Sequence, residues 1–181
     1  MLFPGGRLPL RIFEQRYMDM AKACLKDGSP FGVCLILQGK EVGAPAVPAA
    51  VGTLARIGDW DMPQLGLLHV VARGESRFRI VERRVRKDGL ALASIDTIPE
   101  DVDAPVPGSC ETCVRLLQRI IDQQEGVFER PYRLDSCSWV SARLAEILPL
   151  PLAAKQELLE LSDARARLER VNTFLAGGGG T

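Results

Sequence analysis

Residues 51–98, VGTLARIGDWDMPQLGLLHVVARGESRFRIVERRVRKDGLALASIDTI, decide the fold class. β-branched and other apolar residues alternate there with polar ones, and turn residues interrupt the pattern at Asp61–Gln64 and at Lys87-Asp88-Gly89. The spacing predicts four strands, roughly Val51–Trp60, Leu65–Gly74, Arg77–Arg86 and Leu90–Ile98. Connections this short join antiparallel neighbours. Such a set removes its exposed edges by curling into a small twisted barrel.

Working outward, Phe13, Tyr17, Met20, Ala21, Cys24 and Leu25 recur at helical spacing, and Gly28 followed by Pro30 supplies a stop. This early helix is expected to plug or flank one mouth of the barrel. Phe31–Leu37 is an apolar run that reads as a strand buried on both faces, followed by a loop over Gln38–Ala50. Downstream, Pro99–Gly108 holds three prolines and three acidic residues and reads as a linker. Beyond it the period becomes helical: stripes run through Cys113, Val114, Leu117, Ile120 and Ile121, through Val140, Leu144, Ile147 and Leu148, and through Ala164, Leu168, Val171 and Leu175. Pro151 can open a short helix through Leu159, and Ser162 can cap the final one. The expected organisation is a barrel over 1–100, a linker over 101–108, a helical bundle over 109–176 packed on the barrel, and a disordered tail over 177–181.

A chain of 181 residues with 46% hydrophobic content can bury a substantial core. Its 23 basic and 23 acidic side chains cancel, so no global field draws it to nucleic acid or an anionic membrane. Five cysteines, an odd number, do not form a disulfide framework. No apolar run approaches the roughly 20 residues that span a bilayer, and Met1-Leu2-Phe3-Pro4 does not open a secretion signal. A soluble protein of the reducing cytoplasm is expected.

Three stretches, Leu8–Tyr17 (LPLRIFEQRY), Val51–Ile57 (VGTLARI) and Val71–Ile80 (VARGESRFRI), resemble in this order the amino-terminal substrate-binding domain of Lon proteases, the LON domain. The terminal stretch LAEILPLPLAAKQELLELSDARARLERVNTFL is similar to the helical end of these domains, so the resemblance covers nearly the whole chain. It implies an α+β fold: a PUA-like β pseudobarrel with an early helix, followed by a C-terminal helical bundle. It also implies a further strand before Leu2-Phe3-Pro4-Gly5-Gly6. Were that strand absent, a neighbouring strand would lose its ladder partner and become a candidate edge for pairing with another chain.

The residues offer little reactive chemistry. A P-loop needs a glycine five residues before its Gly-Lys pair and a hydroxyl residue after it, yet around Gly39-Lys40 those places hold Cys34 and Glu41. His69 alternates with aliphatic residues on a predicted strand, without a G-x-S-x-G elbow, and reads as structural. Cys110 and Cys113 form a C-x-x-C, but zinc needs two more ligands and the sequence has no second pair; Cys113 belongs to an apolar stripe. The chain is therefore expected to be no enzyme and to carry no cofactor or metal.

Two surfaces remain. Trp60, Met62 and Leu65 fall where a turn is predicted, and so much apolar surface there either caps the barrel's end or forms a polypeptide-binding site. The basic stretch Arg77–Lys87, with Arg83, Arg84 and Arg86 at its centre, reads as a solvated hairpin face paired with Glu75, Glu82 and Asp88. Its alternative is an RNA site, although aromatic residues are only 6% of the chain and Phe78 reads as core. Glu14, Arg16, Arg56 and Arg73 read as internal ties. The favoured function is recognition of exposed apolar or extended segments in polypeptide clients or a partner protein. Nucleic acid is the less favoured partner, and no membrane is expected.

Overall fold

A computed structural model describes residues 1–39, 43 and 46–177. They form two compact units that divide after Pro99. The first unit holds β1 (Arg7–Ile12), α1 (Gln15–Asp27), β2 (Phe31–Gln38), β3 (Val47–Gln64), β4 (Leu67–Val85) and β5 (Ala91–Thr97) in one antiparallel sheet. Its strand order is β1-β4-β3-β2, and β5 also pairs with β4. β4 is long enough to do both: Leu68–Arg73 face β1, and Phe78–Val85 face β5.

The end strands β1 and β2 are not hydrogen-bonded to each other, yet Leu8 and Leu10 of one and Phe31 and Val33 of the other pack on the same buried cluster of Leu2, Ala55 and Ala72. The sheet is thus rolled around a shared interior, which makes it the expected pseudobarrel. Leu2 and Phe3 fill that interior, held by a hydrogen bond from Thr53 Oγ1 to the Leu2 carbonyl (2.8 Å) and by the Gly5 N–H to the Gly74 carbonyl (2.8 Å). Gly74 makes this possible, because a Cβ there would stand 2.2 Å from the Phe3 carbonyl oxygen. Met18 and Ala21 of α1 cover Ile12, Leu68 and Val70, and Gly28 ends the helix in the left-handed conformation (φ 64°).

Several expectations are corrected. β2 is an edge strand, half-buried to exposed and not buried on both faces, with β3 as its one strand partner among the described residues. The strands predicted over Leu65–Gly74 and Arg77–Arg86 are one strand, since shifts in register absorb Gly74–Ser76 without a turn. β3 begins at Val47, four residues before the predicted start, and replaces part of the predicted Gln38–Ala50 loop; residues 40–42, 44 and 45 of that loop lie outside the described residues.

The second unit holds α2 (Glu111–Gln123), α3 (Cys137–Ile147), α4 (Leu152–Glu160) and α5 (Ala164–Gly177), with a single 3-10 turn over Gly108–Cys110. The predicted stripes supply its core through Cys113, Leu117, Val140, Leu144, Leu168 and Val171. Asp163, not Ser162, caps α5, its Oδ1 accepting from the Arg165 and Ala166 backbone N–H groups (2.9 and 3.0 Å). Gly177 closes α5, and the rest of the predicted tail, 178–181, lies outside the described residues.

The stretch read as a linker is tied into this second unit. Buried Asp101 pairs with buried Arg167, which also donates to the Leu158 and Leu161 carbonyls (2.9 and 2.7 Å). Asp103 accepts from the Ser138 backbone N–H at the start of α3 (3.1 Å) and from Arg133 (2.7 Å), while Ser136 caps α3 through Trp139 N–H. Burial alone would raise the Asp103 carboxyl pKa, but bonds from Ser136, Ser138 and Ala104 and the charge of Arg133 outweigh it and hold it below the ordinary value. No described helix is long and apolar enough to cross a membrane.

Candidate functional site

The β3–β4 hairpin turns at Leu65-Gly66, with Gln64 paired to Leu67 and Gly66 at φ 85°, as the second central position of a type II turn requires. The turn therefore lies beyond the predicted Asp61–Gln64, and Trp60 and Met62 belong to strand β3. Between Asp61, opposite His69, and Gln64, opposite Leu67, Met62 and Pro63 together face Leu68, a bulge that re-aims the strand near its end. Trp60 is opposite Val70, and Leu10 flanks Val70 on its other side. Register partners share a face, so Trp60 stands on the same face as the core residues that α1 covers. It remains outside that cluster, at 58% exposure, with Met62 at 39% and Leu65 at 97%.

Phe13 joins them. It follows Ile12, the last β1 residue in register with β4, so it stands beside the same end of the sheet, and it is 56% exposed. By helical spacing Phe13 belongs to the apolar stripe of the first helix. The helix starts two residues later, with Glu14 as its N-cap, which leaves Phe13 in the connection. The signal available was the alternation Leu8, Leu10, Ile12, which puts Phe13 out of phase with the buried positions of β1. Four exposed apolar residues from three segments thus lie near one end of the sheet, Phe13 being out of phase with the face that carries Trp60.

The charged residues of the motifs are ties within the first unit. Arg16 is buried, pairs with Glu14 (2.9 Å) and donates to the Gly89 and Gly43 carbonyls (2.9 and 2.7 Å). Arg56 and Arg73 are opposite one another, and each is relieved diagonally, Arg56 by Glu75 (2.5 Å) and Arg73 by Asp59 (3.2 Å).

The basic stretch is less available than its composition suggests. Arg77 is buried, Arg83 donates to the Ala46 carbonyl (2.7 Å), and Arg86 pairs with Asp88 (2.9 Å). Arg84 and Lys87 are exposed. Glu75, expected to balance this stretch, serves Arg56 instead. Phe78 is buried, its ring lying against Gly32 and Gly52, where a Cβ would come within 2.9 and 2.8 Å of it.

His69 stands half-buried between Arg11 and Asp61 on the face opposite Leu68 and Val70. Cys110, Cys113 and Cys137 are buried in the second unit; Cys113 donates to Asn172 Oδ1 (3.5 Å) and Cys137 to the Pro105 carbonyl (3.3 Å). Burial pushes the Cys113 thiol up to about 11, and likewise Cys34, so neither is a ready nucleophile at neutral pH. Among the described residues no group of three His, Cys, Asp or Glu side chains is placed to hold a metal ion.

The sequence profile described as the ATP-dependent protease La (LON) substrate-binding domain matches residues 1–177. A crystal structure of a Lon N-terminal domain protein from Xanthomonas campestris superposes with a TM-score of 0.78 at 38% identity, covering 97% of this chain and 92% of that one. Lon protease of Paraburkholderia phytofirmans is 27% identical over 187 residues, which is 98% of this chain and 23% of that protein. Protein cereblon of Gallus gallus is 30% identical over 105 residues, 56% of this chain and 22% of cereblon. The chain thus spans less than a quarter of the length of these two curated relatives.

Proposed function

Because the chain belongs to the LON substrate-binding domain family, we propose that it is a non-catalytic recognition module whose β3–β4 tip binds exposed apolar or extended segments of polypeptides. The observation that supports this reading is the exposure of Trp60, Met62, Leu65 and Phe13 near one end of a sheet whose other large apolar residues form buried clusters. Aromatic side chains supply large contact area at small entropic cost, and a methionine and a leucine adapt to varied partners, which gives broad selectivity. RNA binding by Arg83, Arg84 and Arg86 is weakly supported, since Arg83 and Arg86 already have partners within the first unit.

Titration of the full chain with a fluorescently labelled, permanently unfolded polypeptide tests the proposal. Binding is expected to change little between low and physiological salt and to weaken about 30-fold in Trp60→Ala, as for an aromatic anchor worth about 2 kcal/mol. The absence of saturable binding would refute the proposal, as would binding indifferent to Trp60. Binding that collapses with salt and follows Arg84 would transfer the function to RNA if labelled RNA competes.

A further inference from the structure

The far half of β4 and its partner β5 form a ribbon that the tip does not use. From Arg79 to Lys87 it carries five basic residues against one acidic residue, Glu82, in a chain whose net charge is zero. Val81 and Val85 are exposed on it. Arg84, Val85, Arg86, Lys87, Asp88 and Leu92 line a groove of about 630 Å³. Arg84 and its register partner Leu92 also line an adjoining groove of about 300 Å³ that runs to Ser94. Glu82 lines the second groove beside Arg84, and Asp88 lines the first beside Arg86, so the cations left to a ligand there are Arg84 and Lys87, next to the apolar Val85 and Leu92. β5 has β4 as its one strand partner among the described residues, and its sequence ALASIDT contains neither proline nor lysine, the residues that usually blunt such an edge. Ala91, Ala93 and Ser94 leave room for a strand beside them.

We propose that this ribbon is a second docking surface, which takes an extended acidic segment of a partner protein as an added strand on β5, with its carboxylates on the face of Arg84 and Leu92 and its apolar residues on the opposite face, beside Val85 and Ala91. The complementarity is specific to such a segment. Free backbone groups of an edge strand satisfy a peptide and not a nucleic acid, and the ribbon exposes no aromatic ring on which a base could stack. Among the described residues Arg84 and Lys87 have no hydrogen-bond or ion-pair partner, so the partner's carboxylates displace no tie to a described residue. The site is independent of the client tip.

The test is fluorescence anisotropy of the full chain with a labelled peptide of alternating Glu and Val, matched to the seven residues of β5. Saturable binding is expected, tightening as salt falls. It should weaken about tenfold in the double variant Arg84→Glu and Lys87→Glu, and by a similar factor when Gln replaces Glu in the peptide. A peptide with alternate amides N-methylated in the register that faces β5 should not bind, while Trp60→Ala should leave binding unchanged. The peptide variants keep the proposal testable even if the charge reversals perturb folding. It is overturned if the Glu/Val peptide does not bind saturably, if neither the protein nor the peptide charge changes matter, if N-methylation in both registers is harmless, if polyuridylate displaces the peptide at lower concentration than unlabelled peptide does, or if sedimentation shows that a second copy of the chain occupies β5.

Discussion

Replacing Asp101 by alanine removes the anionic partner of Arg167, a guanidinium only 3% exposed that cannot reach water without unpacking α5 from its neighbours. Breaking a buried ion pair on one side costs about 3–5 kcal/mol. Arg167 keeps the carbonyls of Leu158 and Leu161 as acceptors, so the lower end, about 3 kcal/mol, is expected here. A unit of some eighty residues has a total stability of about 4–12 kcal/mol, so the loss is a quarter to most of it. Each unit contains one tryptophan, Trp60 in the first and Trp139 in the second. In a Trp60→Phe background, Trp139 fluorescence therefore reports the second unit alone. With a urea dependence of about 1–1.5 kcal/mol per molar, the Trp139 midpoint in Asp101→Ala should fall by about 2–3 M. Asp101→Asn, which retains an acceptor but no charge, should fall between wild type and Asp101→Ala. The exposed pair of Arg170 and Glu157 (3.2 Å) is the control, and Glu157→Gln should shift the midpoint by less than about 0.5 M. If Asp101→Ala behaves like that control, the Glu100–Gly108 stretch is a tether and not part of the second unit's core.

Gly74→Ala places a methyl group 2.2 Å from the Phe3 carbonyl oxygen, so Met1–Gly6 must move; melting should fall by about 10 °C or more, and the first residues should become sensitive to protease. Asp103 is held below the ordinary carboxyl pKa, so its contribution to stability is full above that ordinary value and is lost as pH falls through the lower folded one. The acid slope of stability below about pH 4 should flatten in Asp103→Asn, as read by urea midpoints across pH. With Cys34 and Cys113 pushed up to about 11, a disulfide-exchange reagent at pH 8 should label these two slowly in the native protein, and all five cysteines promptly in denaturant; fast stoichiometric native labelling would contradict their burial.

Most of the architecture is legible along the chain because each element follows its own local period. The stripe through Cys113 and Leu117 became α2, the one through Val140 and Leu144 became α3, and Gly28 stopped α1, since helix faces and left-handed caps are set by residues within a turn or two. The ties of Arg16, Arg56 and Arg73 were also legible, because a charge among strand residues must find a partner. The candidate site was partly visible. Trp60, Met62 and Leu65 stood out by composition, while Phe13 was hidden because its spacing to Tyr17 and Met20 also fits a helix.

What the residues could not decide depends on contacts between distant segments. Pattern alone cannot distinguish a strand buried on both faces from one at an edge, and Phe31–Gln38 is the latter, with β3 as its one strand partner among the described residues. Gly74 resembles a strand terminator until the Phe3 carbonyl is found packed against it, and Pro99–Gly108 resembles a tether until Asp101 meets Arg167 at 66 positions' remove. The sequence by itself determined the elements, the family and the apolar character of the tip, because those are sums over neighbouring residues. Which edges stay unpaired, which arginines are spent on carbonyls and carboxylates, and which apolar side chains remain in water were decided only by tertiary structure, since burial and pairing belong to the folded arrangement and not to any one stretch of chain.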